Sequence, residues 1–236
     1  MRLRLVPGFT NTAVSWRAVE RALPTDWDVQ AIEVPDGLDF TGTADALGHR
    51  GGRGVWVGYS MGARLALRLA LDNPRFVDGL ALVSGTAGSR SAGDREARQA
   101  ADERQAQELE RDGMDVFLER WLDQRLFETL PRDAAMLDDR RRGNTVLRLA
   151  HQLRELGQGA QEPLWDRLGE LSMPVLVVAG GYDRAYSDTA RRMASAIGSN
   201  AEVRIVDRAG HALHLEQPAA LAHDLASWID TAGLTE

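Results

Sequence analysis

The stretch Val55-Trp56-Val57-Gly58-Tyr59-Ser60-Met61-Gly62-Ala63-Arg64-Leu65-Ala66-Leu67 decides the architecture. Its first three residues are bulky and β-prone, suited to a strand buried on both faces. From Ala63 onward the pattern turns helical. Between them lies a G-x-S-x-G turn. Strand, tight turn and helix in succession hold the central serine in a strained backbone, and glycines on either side let strand and helix pack closely. A serine displayed this way serves as nucleophile or base only if a neighbour takes its proton.

Working outward, short β-rich runs alternate with helical patterns, the signature of a parallel sheet with crossover helices. Strands are predicted at Arg2–Val6, Asp28–Val34, Val55–Tyr59, Val77–Ser84, Val175–Gly180 and Ala201–Val206. Helices are predicted at Ser15–Leu23, Met61–Asp72, Ser187–Ile197 and Pro218–Thr231. From about Ser89 to Trp165 strand signals vanish, and charged amphipathic helices are expected at Arg95–Arg111, Val116–Arg125, Ala134–Arg142 and Thr145–Leu156. Ligands of open α/β sheets bind at the strand C-terminal ends, so this insertion (89–165 within a single domain, 1–236) is expected to cap the site there.

The proton acceptor and its orienting acid should follow the serine in the order Ser, acid, His. Asp183 comes just past the predicted strand Val175–Gly180, and His211 lies in the loop after Ala201–Val206. Ser60, Asp183 and His211 therefore form the candidate catalytic triad. Asp207 is nearer His211 in sequence but follows a different strand end. His49, His151, His214 and His223 read as surface or packing histidines, and no pair of them has metal-ligand spacing, so no metal site is expected. An oxyanion hole would use the Met61 N–H and that of Phe9, in the loop Val6-Pro7-Gly8-Phe9-Thr10.

Composition narrows the chemistry. The 236 residues carry a net charge of -7, unlike the basic face of a nucleic-acid binder. No apolar run approaches a membrane span, and the N-terminal stretch is too short for a signal peptide, so a cytoplasmic protein is expected. There is no Cys, which excludes disulfides and thiolate catalysis. There is no Lys either: all 28 basic residues are Arg, which excludes Schiff-base chemistry and a P-loop lysine. A homo-oligomer stays open.

With these residues assembled, the chain resembles the α/β-hydrolase superfamily over nearly its whole length. More narrowly, it resembles the 2-succinyl-6-hydroxy-2,4-cyclohexadiene-1-carboxylate (SHCHC) synthases of menaquinone biosynthesis. The resemblance is carried by Gly58–Arg64, by Phe117-Leu118-Glu119-Arg120-Trp121 with Phe127 six residues on, and by Leu149–Gln161 followed by Leu164-Trp165. Ala209-Gly210-His211 and Glu216-Gln217-Pro218 complete it. It implies a lyase that eliminates pyruvate from SEPHCHC, the enolpyruvyl precursor of SHCHC, without a cofactor. It further implies that Tyr59, Arg64, Arg98, Trp121 and Arg142 hold a small polyanionic substrate, with Arg140 and Arg141 able to replace Arg142 after a small register shift. Arginine grips carboxylates in planar, bidentate fashion, which suits that role.

The chain departs from the family where Pro7-Gly8-Phe9 replaces His-Gly-Phe and where Pro35-Asp36-Gly37 replaces a Pro-Gly-His-Gly loop. It also begins at the strand bearing the Phe9 loop, so earlier antiparallel strands are expected to be short or missing. The same triad serves carboxylester and carbon–carbon bond hydrolases, and a silent scaffold that only binds ligand is a third reading. The Arg-rich cap favours the lyase.

Overall fold

Val55–Val57 and Val175–Ala179 bury every side chain, as strands covered on both faces by helices must. The computed structural model describes residues 1–235. Its strands are β1 (Arg2–Val6), β2 (Asp28–Ala31), β3 (Gly54–Tyr59), β4 (Val77–Val83), β5 (Val175–Gly180) and β6 (Ala201–Val206). They form one sheet in the order β2-β1-β3-β4-β5-β6, with every pairing parallel. The helices in chain order are α1 (Arg17–Ala22), α2 (Phe40–Gly51), α3 (Met61–Asp72), α4 (Ala92–Asp112), α5 (Met114–Leu122), α6 (Leu137–Gly143), α7 (Val146–Leu156), α8 (Arg184–Ile197), α9 (Leu213–Glu216) and α10 (Pro218–Thr231).

The sheet separates two apolar cores. On one face Leu3, Leu5, Val57 and Val83 pack with Val19 of α1 and Leu225 of α10. On the other Trp56, Leu80 and Val177 pack with Leu47 of α2, Leu67 of α3 and Met193 of α8. The insertion α4–α7 lies between β4 and β5 in the chain, and its Leu109, Leu118 and Leu153 are continuous with the first core. The cap is thus fused to the body through apolar packing.

Several expectations change in detail. β2 ends at Ala31 rather than Val34, although Ile32 N–H still reaches Leu5 O at 2.8 Å. The helix expected at Ser15–Leu23 opens as a 3₁₀ turn, Ala13–Trp16, and its α segment stops at Ala22. The cap helices run 92–112, 114–122, 137–143 and 146–156, so the third starts three residues late, behind a left-handed Met136. α8 starts at Arg184, three residues early, because Asp183 caps it by accepting the Tyr186 N–H. Helix α2 was not anticipated. Its glycines let it lie close to its neighbours: a Cβ at Gly51 would overlap Trp56, and one at Gly48 would overlap Leu69 and Phe76.

Topology places the site. The chain runs from β1 outward to β2, then crosses back to β3 on the other side of β1. Such a reversal leaves a crevice above the C-terminal ends of the two strands it separates. The loop carrying Phe9 follows β1, and Ser60 follows β3. They face each other across that crevice.

Candidate active site

Ser60 sits at φ 51°, ψ −108°, a left-handed backbone that costs a non-glycine residue roughly 1–3 kcal/mol. Close packing enforces it. A Cβ at Gly58 would strike Gly62 O, and one at Gly62 would strike Val6 O, so strand, turn and helix touch backbone to backbone. Ser60 N–H is tied to Val83 O at 2.9 Å. The outcome is a serine hydroxyl presented at the sheet edge.

The loops after β5 and β6 bring the partners. His211 Nε2 lies 3.1 Å from Ser60 Oγ, and His211 Nδ1 lies 2.9 Å from Asp183 Oδ2. The second contact fixes the tautomer: Nδ1–H donates to the carboxylate, leaving the Nε2 lone pair toward the serine. The other carboxylate oxygen, Oδ1, accepts the Tyr186 N–H at 3.2 Å, so the acid is held from both sides. The imidazole is 1% exposed and flanked by the rings of Tyr59, Phe127 and Tyr186. Asp207, the other acid weighed for this position, makes no hydrogen bond or ion pair with His211 among the described residues.

Phe9 and Met61 both line the cavity beside Ser60, and neither amide has a hydrogen-bond acceptor among the described residues. Met61 opens α3, where the first N–H groups have no intrahelical partner. The loop after Pro7 is tied to the cap. Asn144 Nδ2 donates to Thr10 O at 2.9 Å, Arg140 bonds the Thr10 hydroxyl, and the rings of Trp121 and Phe117 meet the Phe9 ring edge-on at 4.9 and 6.2 Å.

The cavity holds about 360 Å³ and is walled by both body and cap. Four of the five implied substrate contacts reach it: Tyr59, Arg64, Arg98 and Trp121. They differ in what they have left to offer. Arg64 is buried and already engaged, donating to Leu156 O at 2.7 Å, Gly157 O at 3.2 Å and Gln161 Oε1 at 3.4 Å. It neutralises the carbonyl end of α7 and binds cap to body; burial lowers its pKa to about 10, which still leaves it cationic at neutral pH. Arg98 spends only Nε, on Asp102 Oδ1 at 3.0 Å, and its two Nη groups have no partner among the described residues. Burial raises the Asp102 pKa, with Arg98 opposing. Trp121 Nε1 is buried without an acceptor. Burial pushes the Tyr59 phenol up, so it stays a neutral hydroxyl.

Arg142 is a correction. It lies outside the cavity, with its side chain 76% exposed and paired at 3.7 Å with Asp138 one turn back. Two residues along a helix is about 200° of rotation, so Arg142 and Arg140 face opposite ways. Arg140 takes the inward position. It is 1% exposed, donates to Ala135 O at 2.7 Å and has no carboxylate partner among the described residues. Burial lowers its pKa to about 10. Arg141 pairs with Asp115. Sequence reasoning also missed Asp102 and Gln124, Gln152 and Gln158 as cavity residues; only the spacing of Asp102 from Arg98 hinted at one of them. His49 and His151 lie at the surface beside Asp45 and Leu38 O, whereas His214 is fully buried against Tyr59, where burial holds it neutral. No group of three or more metal-ligating side chains occurs, and no helix is long and apolar enough to cross a membrane, among the described residues.

Comparison with known proteins identifies the family. Residues 3–224 match the model of the alpha/beta hydrolase family. A Bacillus subtilis (strain 168) protein that carries the name 2-succinyl-6-hydroxy-2,4-cyclohexadiene-1-carboxylate synthase provisionally is 35% identical over 166 residues, covering 69% of this chain and 60% of that protein. The chain thus matches less than two thirds of that relative's length. The synthase of the same name from Serratia proteamaculans (strain 568) is 29% identical, with 96% of this chain and 92% of that one covered. The structure of MenH from S. aureus superimposes with a TM-score of 0.91 at 23% identity, covering 99% of this chain and 94% of the other. The chain belongs to the alpha/beta hydrolase family.

Proposed function

We propose that the chain is a lyase that eliminates pyruvate from SEPHCHC to leave SHCHC, with Ser60 as a general base rather than a covalent nucleophile. One observation carries the reading: the Ser60–His211–Asp183 hydrogen-bond chain opens into a cavity lined from the cap by Trp121 and by Arg98, whose Nη groups have no partner among the described residues. Unspent donors of that kind suit a substrate with several carboxylates. The names carried by the relatives from Bacillus and Serratia support the same reaction.

In this mechanism Ser60 Oγ removes the acidic proton beside the succinyl carbonyl while passing its own proton to His211 Nε2. Asp183 stabilises the imidazolium through Nδ1–H. The enolate oxygen takes the Phe9 and Met61 amides, donors that need no reorganisation when charge develops. The electron pair then moves through the ring and breaks the carbon–oxygen bond to the enolpyruvyl group. The leaving oxygen takes back one proton, and enolpyruvate ketonises to pyruvate. No external electron acceptor enters.

The test is pyruvate release from SEPHCHC by the purified protein, followed with lactate dehydrogenase. Ser60→Ala should abolish it; undiminished turnover in that variant rejects the mechanism. Ester or carbon–carbon bond hydrolysis is the competing reading, because a serine 3.1 Å from an oriented imidazole is also placed for attack. Rapid turnover of p-nitrophenyl acetate without pyruvate release would select it.

A further inference from the structure

His211 sits on a loop, so its imidazole is only as well placed as the backbone that carries it. That backbone is held by Glu216 and Ser84, and Glu216 is in turn held by Thr129. Glu216, at the end of α9, folds its carboxylate back over the loop: Oε2 accepts the Gly210 N–H at 2.8 Å, and Oε1 accepts the Ala212 N–H at 3.1 Å. These are the two amides that flank His211. From the cap, the Thr129 hydroxyl donates to the same Oε2 at 2.8 Å. From the end of β4, the Ser84 hydroxyl donates to His211 O at 2.9 Å.

Two further features fit a built device. A Cβ at Gly210 would strike Thr129 Oγ1 and stand 3.2 Å from Glu216 Oε1, so glycine is what lets carboxylate and cap close on the loop. Ser84 is held at φ 49°, a backbone position that a serine adopts at a cost. A carboxylate accepts at both oxygens at once, whereas an amide offers one acceptor and sets an NH₂ against a donor.

We propose that Glu216 is a positioning residue for His211: its carboxylate, seated by Thr129 and aided by Ser84, sets the imidazole between Ser60 and Asp183. This rests on the reading of those three as a working relay. Glu216, Thr129 and Ser84 do not line the substrate cavity, so their influence should fall on turnover and not on binding.

The test is Glu216→Gln, which conserves volume, with Ser84→Ala and Thr129→Val as milder variants that each remove one hydroxyl bond. Misplacing a reacting group by about 1 Å costs on the order of 100-fold in rate, so Glu216→Gln should lose about that much in kcat with KM within about twofold. Each milder variant should lose about tenfold. In parallel, labelling of Ser60 by a fluorophosphonate should slow, and the far-downfield proton resonance of the His211 Nδ1–H···Asp183 bond should shift or broaden while circular dichroism stays native. Wild-type kcat and an unmoved resonance in a folded Glu216→Gln protein would overturn the proposal, as would a change confined to melting temperature. If Glu216→Gln does not fold, the Ser84→Ala and Thr129→Val measurements decide. If the wild-type protein releases no pyruvate, the lyase reading falls, yet labelling and resonance still judge the role of Glu216.

Discussion

On the sheet side of the cavity Ser60, His211 and Asp183 bond one another, and Glu216 closes the amides around His211. On the cap side Arg98 keeps two Nη groups without partners among the described residues, and Trp121 buries an indole N–H with no acceptor. The Trp121 N–H is a buried donor left unpaired, which costs about 1–3 kcal/mol, whereas the Arg98 side chain is 41% exposed and open to solvent. The contrast assigns the two walls different tasks. Under the proposed lyase reading, the sheet side organises chemistry before substrate arrives, and the cap side leaves Arg98 for an anion to satisfy. Arg64 belongs by position to the cavity and by bonding to neither wall, since its guanidinium joins them.

Asp183→Asn should cost about 10⁴-fold in kcat, because the amide reverses the tautomer that leaves Nε2 free to take the serine proton. Binding of substrate, measured by calorimetry on this variant, should change little. On the opposite wall, Arg98→Met should raise KM about 10- to 100-fold with a smaller change in kcat, since a charge-assisted hydrogen bond is worth roughly 1.5–3 kcal/mol. Arg142→Ala is its control: steady-state kinetics within about twofold of wild type would agree with its surface position, and a KM effect equal to that of Arg98→Met would dissolve the contrast.

Arg64→Met should act on stability first. It strips the donors from Leu156 O and Gly157 O, and thermal or urea unfolding should show a loss of about 2–3 kcal/mol. The smallest expected effect has the opposite sign. Ser60→Gly relieves the left-handed backbone and should stabilise the fold by about 1 kcal/mol while removing activity. A destabilised Ser60→Gly protein would mean that the strain at φ 51° is not stored there.

Legibility followed how local the constraint was. The serine turn was readable because its glycines are demanded by contacts with immediate neighbours, Gly58 against Gly62. Asp183 and His211 were readable because each lies just past a strand of strong β pattern, and parallel strands deliver their ends to one edge. Helix α2 was not, because Phe40–Gly51 carries Gly42, Gly48 and Gly51, which read as loop residues until Trp56 and Leu69 are seen pressed against them. In Arg140-Arg141-Arg142 three identical side chains offer no periodicity. The helix start at Met136 sets their phase, and that start depends on a left-handed residue that the pattern does not announce.

Chain order and hydrophobic rhythm alone specified a parallel sheet, a helical insertion between its fourth and fifth strands, and the three side chains of the relay. These depend on spacing along one chain and on the handedness of crossover connections. Folding in three dimensions settled which arginine is spent, which is open and which faces solvent, and it added Asp102 to the cavity and Glu216 to the histidine loop. Such roles rest on partners drawn from distant segments, such as α3 with the end of α7, or the cap's Thr129 with α9. A side chain's remaining hydrogen-bonding capacity exists only once those segments have met.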